Sequence, residues 1–365
     1  MSPSKPLILV CVPLWPTPDD VLPFFKARLA GKDLPPQKPR DTTSLDIKDE
    51  KLEYEVKYYP TPNEKGEGKA PTEEEWKSYR SIPDDSDLIV CSASGIHVIP
   101  ISEHVIATTM ALYHNFPKFI VSGAEDPPRW IRMPELGNGG FVVRELRGRT
   151  IGLLGYGHIA RETARMAQAL GMRVTCATRT GHATKIGGYL LPQTGDPDGQ
   201  IPEKWYTTTS SDSLAEFYAT ADVVVNSLPS TEETKGFVAE QAFRDMRDNA
   251  VFVNIGRGDT VDQEIMIQAL EAGLQSSSLS DDKSATTKPN GNLRISAASL
   301  DVTSPEPLPP TNKLWRLPNV SLTPHMSGGS ELYWYRVTDL ASINVRRVLK
   351  DGLGGLNAVR GKGEE

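Results

Sequence analysis

The sequence predicts an α/β protein whose parallel sheet is covered by helices on both faces. From Thr150 onward, short apolar runs that suit buried strands alternate with stretches that suit helices. Such βαβ alternation produces a parallel sheet, because each helix carries the chain back to the edge where the next strand begins. A length of 365 residues also exceeds the usual size of one hydrophobic core, so we expect two domains. The predicted strands of the larger domain are TIGLLG, MRVTCA, ADVVVNSL, NAVFVNIG and AASLDV.

The rest of the chain, including two polar insertions after Thr150, has a less regular pattern. Two polar insertions further along, 181–204 and 275–293, have no periodic apolar face, so we predict surface loops there. A last helix is predicted at 331–350, and a loop rich in Pro and Gly at 123–140. In the first part of the chain the pattern predicts a strand at 7–12, a helix at 19–30, a weak strand at 52–59, a strand and turn at 88–95 and a helix at 102–116.

Charge and hydropathy exclude several classes of partner. The formal net charge is -7 and the pI is about 5.5. Phosphate backbones and anionic membranes repel an acidic protein, so we expect neither nucleic acid nor a membrane as a partner. The N-terminal apolar run is too short for a signal or a membrane span. Cys11, Cys91 and Cys176 lie far apart among apolar or small residues, and we interpret them as reduced core thiols of a cytoplasmic protein.

A glycine-rich turn at 155–160 is the strongest local signal. The pattern G-x-G-x-x-A follows a predicted strand and opens a predicted helix, which is the context of a dinucleotide-binding site. The first glycine permits the tight turn, the second lets a pyrophosphate approach the backbone, and the helix N-terminus attracts the phosphates. The alternative is a glycine turn without a ligand. The candidate cofactor-binding residues are Gly155, Tyr156, Gly157, His158 and Ile159.

The end of the second predicted strand bears on the choice of cofactor. An NAD enzyme usually offers an acid there to the ribose 2'-hydroxyl, whereas this chain has Thr178, Arg179 and Thr180. Arg179 can bind a 2'-phosphate through charge-assisted hydrogen bonds. NADP(H) is therefore favoured and NAD(H) remains possible, since Arg179 could instead point into solvent or stack on adenine.

From about Ser92 to the last helix, the sequence resembles the D-isomer-specific 2-hydroxyacid dehydrogenases. The resemblance rests on six motifs that occur in the family's order, including the glycine fingerprint. The other five are SASGIHVIPISEHV, ADVVVNSLPSTEETKGFV, NAVFVNIGRGDTVDQEIMIQAL, SLDVTSPEPLPP and LWRLPNVSLTPHMSGG.

The resemblance implies a catalytic trio of Arg257, Glu306 and His325. Arg257 would hold the carboxylate and carbonyl of a 2-keto acid, because its planar fork suits both groups. His325 would donate a proton to the carbonyl oxygen, a task that suits an imidazole at neutral pH. Glu306 would orient the imidazole. Each residue alone has a plainer structural explanation, but together, at the ends of predicted parallel strands, they favour function. No spacing of Cys, His and carboxylate residues suggests a metal site.

Further contacts are implied by the same resemblance. For the substrate, the candidates are Ser94, Gly95 and Ile96, together with Arg257. For the cofactor they are Leu228, Pro229, Ser230, Thr234, Ile255, Gly256, Asp301, Ser327 and Gly328.

The family also implies a division into domains. We expect a flavodoxin-like α/β substrate domain from 1–112 with 335–365, and a Rossmann-type doubly wound domain at 113–334. One departure concerns the first domain. Between Tyr59 and Asp87 the chain lacks the strand and glycine turn that the family places there, so this domain is predicted to be shortened.

These observations lead to an expected function. The chain is interpreted as an oxidoreductase that transfers a hydride between NADPH and C2 of a small 2-keto acid of the glyoxylate or hydroxypyruvate type. A homodimer is expected, because family members usually pair. The alternative is a catalytically weakened NAD(P)-binding regulatory or sensor protein, which a shortened first domain would allow.

Overall fold

The computed structural model describes residues 7–11, 27–28, 55–59, 90–132, 135, 143–275, 291–349 and 356–360. Three of the sequence-based predictions lie wholly or mostly outside these residues. They are the helix at 19–30, the insertion at 275–293 and the segment between Tyr59 and Asp87 on which the shortened first domain depends.

Strands occur along the whole described chain, and most of them are short and apolar. They are β1 (Leu7–Cys11), β2 (Glu55–Tyr59), β3 (Val90–Cys91), β4 (Thr150–Leu154), β5 (Arg173–Thr178), β6 (Lys204–Thr207), β7 (Val223–Asn226), β8 (Val251–Asn254), β9 (Ala297–Leu300), β10 (Val320–Leu322) and β11 (Ala358–Arg360).

Helices lie between most of the consecutive strands from β3 onward. Short 3-10 turns also occur at Gly258–Thr260 and Lys313–Arg316. The helices are α1 (Val98–Tyr113), α2 (Phe116–Gly123), α3 (His158–Ala169), α4 (Ser211–Thr220), α5 (Glu240–Asp245), α6 (Gln263–Gln275) and α7 (Tyr333–Leu349).

Seven strands form one parallel sheet in the order β10-β9-β8-β7-β4-β5-β6. The chain builds outward from β4 to β6, then crosses to the other side of β4 and builds outward from β7 to β10. This reversal between β4 and β7 is the topological switch point at which open α/β sheets bind ligands. The predicted α/β fold with a Rossmann-type sheet is confirmed.

Alternating side chains of the strands supply two separate cores, one on each face of the sheet. On β4, Ile151 and Leu153 pack with α1 and α3, whereas Leu154 packs with α4, α5 and α6 on the opposite face. Because both faces are covered, the central strands are buried at every position and read as continuous apolar runs.

The chain divides into two compact units, which consist of Met1–Ile96, Gly188–Leu191 and Ser330–Glu365 in the first and of His97–Gly187 and Pro192–Gly329 in the second. The predicted division placed α1 in the first domain. In the structure α1 lies in the second unit, because it packs on α3. The Ser102 hydroxyl, on α1, donates to the carbonyl of Ile159 and accepts from the Thr163 hydroxyl.

The first unit contains two small ladders. β1 pairs with β2 in parallel, and β3 pairs with β11 in antiparallel orientation. On α7, the buried Asp339 forms an ion pair with Arg28 and accepts a 2.9 Å hydrogen bond from the Tyr189 hydroxyl. Arg336 donates to the carbonyl of Ile96 at 3.2 Å. These contacts attach α7 to distant parts of the same unit.

One predicted loop and one predicted helix were wrong in part. The insertion 181–204 was predicted to be a surface loop, but Tyr189, Leu191 and Asp196 are buried and the strand β6 begins at its end. The helix predicted at 102–116 begins earlier, at Val98, and ends at Tyr113, and a second helix, α2, follows it before the predicted loop. A left-handed Asn115, with φ of 58°, breaks the helical run between α1 and α2.

Candidate active site

The glycine turn lies at the switch point between β4 and β7. Gly155 follows β4 with φ of 86°, a conformation that favours glycine. A Cβ atom there would lie 3.1 Å from Oγ of Ser227, which follows β7. The Ser227 hydroxyl itself donates to the carbonyl of Leu154 at 3.0 Å. The two strand ends are therefore joined directly beneath the predicted cradle.

The space above Gly157 is open. A Cβ atom built at Gly157 meets no atom of the described structure within 4 Å. Gly157 is also the N-cap of α3 and provides no side-chain cap, while Arg161 makes the first helical hydrogen bond back to it. Free N–H groups at a helix N-terminus bind phosphate groups. The residues present therefore fit the pyrophosphate of a nicotinamide dinucleotide.

The side chains that follow in the fingerprint are engaged with the protein. The Tyr156 hydroxyl donates to the Asp196 carboxylate at 2.8 Å, and the tyrosine is only 7% exposed. The His158 ring is hydrogen-bonded to the backbone of Gly187, and burial lowers its pKa. Both residues are thus available to a cofactor through their backbone N–H groups.

At the end of β5, the structure places Arg179 on an exposed turn. Gly181 N–H donates to the Thr178 hydroxyl at 3.1 Å, and the Thr207 hydroxyl donates to the carbonyl of Arg179 at 3.1 Å. The pKa of Glu233 is lowered first by a hydrogen bond from Thr231, and the charge of Arg179 adds to this effect. Glu233 belongs to the turn after β7. The Arg179 guanidinium therefore lies near that turn, beside the switch point between β4 and β7.

The predicted catalytic residues follow three neighbouring strands. Arg257 comes after β8, Glu306 after β9 and His325 after β10, and the carboxyl ends of these parallel strands share one sheet edge. His325 Nδ1 lies 2.9 Å from Glu306 Oε2. Glu306 Oε1 accepts the Thr303 backbone N–H at 2.9 Å, which fixes the carboxylate. The Arg257 guanidinium donates to the carbonyl of Gly256 at 2.7 Å. The structure thus brings Glu306 and His325 into direct contact.

Asp301 organises the turn that carries His325. The turn is left-handed at His325, with φ of 54°, and the His325 backbone N–H donates to the Asp301 carbonyl at 2.8 Å. The Asp301 carboxylate accepts from the Thr323 hydroxyl at 2.6 Å, from Met326 N–H at 2.9 Å and from both the N–H and hydroxyl of Ser327. Burial alone would raise the pKa of Asp301, but the hydrogen bonds from Ser327 and Thr323 outweigh it and lower the pKa.

A buried amide network joins the turns after β7 and β8. Asn226 Nδ2 donates to Asn254 Oδ1 at 3.0 Å and to the Thr260 hydroxyl at 2.7 Å. Asn226 Oδ1 accepts Leu228 N–H at 3.3 Å, and Asn254 Oδ1 accepts Gly256 N–H at 3.2 Å. Sequence reasoning missed both asparagines. Their signal was a polar residue at the end of an otherwise apolar strand.

The remaining candidates lie in these turns. The Ser230 hydroxyl donates to Asp259 at 2.6 Å, and the Thr234 hydroxyl donates to the carbonyl of Pro229 at 2.6 Å. Ile255 is buried directly before Gly256. After the His325 turn, the carbonyl of Gly328 lies 3.2 Å from His97 Nδ1, just before α1.

The substrate candidates Ser94, Gly95 and Ile96 belong to the first unit. Gly95 has φ of 93°, and the Asn357 amide donates to the carbonyl of Ser94 at 2.8 Å. Their turn is therefore held by the segment before β11, which is distant in sequence.

Metal-binding clusters and membrane-spanning helices are both absent from the described residues. No group of three or more His, Cys, Asp and Glu residues within the described ranges could hold a metal ion. None of the helices in that part of the chain is long and apolar enough to cross a membrane. Cys176 is a free, buried thiol, and burial raises its pKa.

Comparisons with known proteins agree on one family. The family model for the NAD-binding domain of D-isomer specific 2-hydroxyacid dehydrogenases matches residues 123–290 and 282–327. A D-3-phosphoglycerate dehydrogenase of Archaeoglobus fulgidus is 29% identical over 246 residues, which are 67% of this chain and 37% of that protein. A glyoxylate reductase of Thermofilum pendens is 31% identical over 206 residues, which are 56% of this chain and 50% of that protein.

The chain thus spans half or less of the length of these two relatives. A crystal structure of a protein from Thermus thermophilus is 27% identical and superimposes with a TM-score of 0.54. The superposition covers 79% of this chain and 74% of the other.

Replacing Asp301 with Asn should destabilise the sheet unit by about 1.5 to 3 kcal/mol at neutral pH, because an amide cannot accept all the hydrogen bonds that converge on the carboxylate. The pKa of Asp301 is lowered in the folded protein. Its stabilising effect is therefore complete above the unfolded pKa of about 3.9 and is lost as the pH falls through the lower folded value. Chemical unfolding at neutral pH and at several acidic pH values measures the difference.

The control for this prediction is Asp198→Asn, which alters an exposed carboxylate and should change stability by less than about 0.5 kcal/mol. A destabilisation by Asp301→Asn that stays constant from neutral to strongly acidic pH would contradict the role of the ionised carboxylate.

Proposed function

The chain belongs to the family of D-isomer specific 2-hydroxyacid dehydrogenases, and on that premise we propose that it reduces a small 2-keto acid with NADPH. The substrate is of the glyoxylate or hydroxypyruvate type, the product is a D-2-hydroxy acid, and the protein works in the cytoplasm. The observation that carries this proposal is the 2.9 Å contact between His325 and Glu306. This contact lies at the edge of the sheet at which β8 ends, and Arg257 follows β8 at the same edge.

In this proposal His325 is the proton donor. Its Nδ1 is engaged by Glu306, which leaves Nε2 to face the carbonyl oxygen of the keto acid. The contact with the carboxylate holds the ring in one orientation. The Asp301 carboxylate accepts hydrogen bonds from residues on both sides of His325. The turn that carries the imidazole is therefore ordered before the substrate binds.

Arg257 binds the substrate in this scheme. It is exposed at the end of β8 and presents a planar fork that can hold a carboxylate and an adjacent carbonyl. A bound nicotinamide supplies the hydride that C2 receives. Polarisation of the carbonyl by Arg257 and protonation by His325 stabilise the negative charge that develops on oxygen. Ser94, Gly95 and Ile96 stay candidate substrate contacts, as the family resemblance implies.

The cofactor contacts that we propose lie in turns on both sides of the switch point. Backbone N–H groups of Gly157, His158 and Ile159 would hold the pyrophosphate, since the space above Gly157 is open. The family-derived contacts would line the nicotinamide end. They are Leu228, Pro229, Ser230, Thr234, Ile255, Gly256, Asp301, Ser327 and Gly328.

Arg179 supports NADPH over NADH. It is exposed at the end of β5, where an acid would select the free 2'-hydroxyl, and its charge lies close enough to Glu233 to lower that pKa. A 2'-phosphate at this position would meet a guanidinium and the hydroxyl groups of Thr178 and Thr180.

A homodimer is also part of the proposal. α2 exposes a cluster of apolar side chains, with Phe116 52%, Ile120 70% and Val121 61% exposed. Exposed apolar clusters of this kind are typical of protein interfaces, and a second copy of the chain would cover this one.

Replacing His325 with Ala should lower kcat for glyoxylate reduction by about 10² to 10⁴-fold, because the proton donor is lost. NADPH oxidation at 340 nm across a panel of 2-keto acids measures the rate. His182→Ala, which removes an exposed histidine of the insertion, is the control and should keep full activity. Equal rates for wild type and His325→Ala would contradict the mechanism. Tight NADPH binding by the wild type without turnover would favour a sensor protein.

Replacing Arg179 with Ala should raise the Kd for NADPH by about 10 to 100-fold and leave the Kd for NADH nearly unchanged, since charge-assisted hydrogen bonds to a 2'-phosphate are lost. Titration of nicotinamide fluorescence measures both constants. Lys185→Ala, which removes an exposed cation of the same insertion, should leave both unchanged. An unchanged cofactor preference in Arg179→Ala would refute the role of Arg179.

Replacing Ile120 with Glu should convert a dimer into a monomer, because a charge would be buried in an apolar interface. Sedimentation equilibrium measures the mass. The control is Leu274→Glu, which changes an exposed apolar side chain on α6 and should leave the dimer intact. A monomeric wild-type protein would overturn this part of the proposal.

A further inference from the structure

The insertion between β5 and β6 is anchored to the cofactor-binding turn, although its composition predicted a solvated loop. Its residues 184, 187 and 195–197 all contact side chains of the fingerprint segment Tyr156–Glu162. Arg179, the proposed 2'-phosphate ligand, follows β5 and lies two residues before the insertion begins. The position of Arg179 is therefore connected to the cradle by more than the strand β5.

Arg161 is the main anchor. It lies in the first turn of α3, is 2% exposed and is among the largest fully buried side chains of the described chain. Its Nε donates to the carbonyl of Tyr156 at 3.0 Å, within the glycine turn itself. Its two terminal nitrogens donate to the carbonyls of Asp196 and Thr184, the latter at 2.8 Å. One guanidinium thus joins the glycine turn to two points of the insertion.

Tyr156 and Asp196 form a second buried contact. The Tyr156 hydroxyl donates to Asp196 Oδ2 at 2.8 Å, and the guanidinium of Arg161 lies 4.7 Å from the centre of the tyrosine ring. The Asp196 carboxylate also accepts the backbone N–H groups of Gln200 and Ile201, at 2.8 and 2.9 Å. Tyr156, Arg161 and Asp196 are hereafter called the brace.

The chain at the start of the insertion is held at β6. The Thr207 hydroxyl donates to the carbonyl of Arg179, and Gly181 N–H donates to the Thr178 hydroxyl. A Cβ atom on Gly181 would lie 3.0 Å from Cβ of Thr207, so the turn is packed closely on this strand. The backbone of Arg179 is therefore fixed from both sides.

Such a brace is costly unless its hydrogen bonds are complete. A buried guanidinium and a buried carboxylate lose hydration, and they are tolerated only when their hydrogen-bonding groups are satisfied. Buried polar networks that are satisfied in this way rigidify the backbone that they join. None of the steps proposed for the reduction requires Arg161 or Asp196.

A 2'-phosphate and a pyrophosphate are separated by a ribose, so one cofactor can reach both of its sites only if the sites are correctly spaced. We propose that the brace, with Thr207, sets the spacing between the α3 N-terminus and Arg179 and thereby determines the selectivity for NADPH over NADH. This inference rests on the proposed use of NADPH. It assigns Tyr156, Arg161, Asp196 and Thr207 as positioning residues, since Arg179 alone would contact the phosphate.

The test compares Tyr156→Phe with Tyr218→Phe. Tyr156→Phe removes one hydroxyl of the brace and keeps the ring. Tyr218→Phe removes a buried hydroxyl of the same unit that has no hydrogen-bond partner among the described residues. Dissociation constants for NADPH and NADH are measured by nicotinamide fluorescence. The Kd for NADPH should rise about five- to tenfold in Tyr156→Phe, the effect of losing about one hydrogen bond, while the Kd for NADH changes less than about twofold. Tyr218→Phe should change neither constant.

A double-mutant cycle with Arg179→Ala separates positioning from a general structural role. In that background Tyr156→Phe should cause no further loss of NADPH affinity, because the group that it positions is gone. If Tyr156→Phe unfolds the protein, Thr207→Val tests the same inference from β6, where the side chain is only half-buried, and Thr207→Ser should restore the affinity.

The outcomes distinguish the two proposals. A wild-type protein that binds NADPH no more tightly than NADH overturns both, since no selectivity is left to determine. A wild-type preference for NADPH combined with equal losses for both cofactors in Tyr156→Phe and Thr207→Val overturns the brace alone. Additive losses of NADPH affinity in the double mutant would also overturn the brace alone.

Discussion

The reversal of strand order between β4 and β7 is the constraint on which the rest of the site depends. Parallel strands place all their carboxyl ends at one edge, and the reversal opens a crevice there because the connections on its two sides leave in opposite directions. The glycine turn follows β4, and the turns that carry Arg257, Glu306 and His325 follow the strands on the β7 side. Residues that are far apart in the chain are placed along one edge by backbone geometry alone.

Side chains at the strand ends are held by buried polar groups. Asn226 and Asn254 join two turns, and Asp301 binds the His325 turn through its carboxylate and its carbonyl. Hydrogen bonds of this kind are expensive to break when they are buried, because the remaining partner is left unsatisfied. The turns are therefore ordered before any ligand is bound. Such preorganisation is what a reaction needs when a proton and a hydride must arrive at adjacent atoms.

The β5–β6 insertion is an irregular segment that buried hydrogen bonds attach to the glycine turn. Backbone carbonyls of the insertion accept hydrogen bonds from Arg161 on α3, and its backbone N–H groups donate to the Asp196 carboxylate. Within the sheet unit, a surface loop would leave Arg179 free to move. A braced loop removes that freedom at the cost of burying charge, and we propose that cofactor selectivity is what this rigidity provides.

The alternation of apolar runs determined the α/β class, and the glycine pattern predicted a dinucleotide site after β4, because both are local properties of strand and helix formation. The ordered motifs identified the family and named Arg257, Glu306 and His325. Only the tertiary structure decided the contact between Glu306 and His325 and the burial of the insertion. It also decided the roles of Asn226, Asn254 and Thr323. In each case the deciding interaction joins residues far apart in the chain. A polar residue such as Asp196 occurs in the sequence of a solvated loop as readily as in that of a buried network, so only its hydrogen-bond partners distinguish the two.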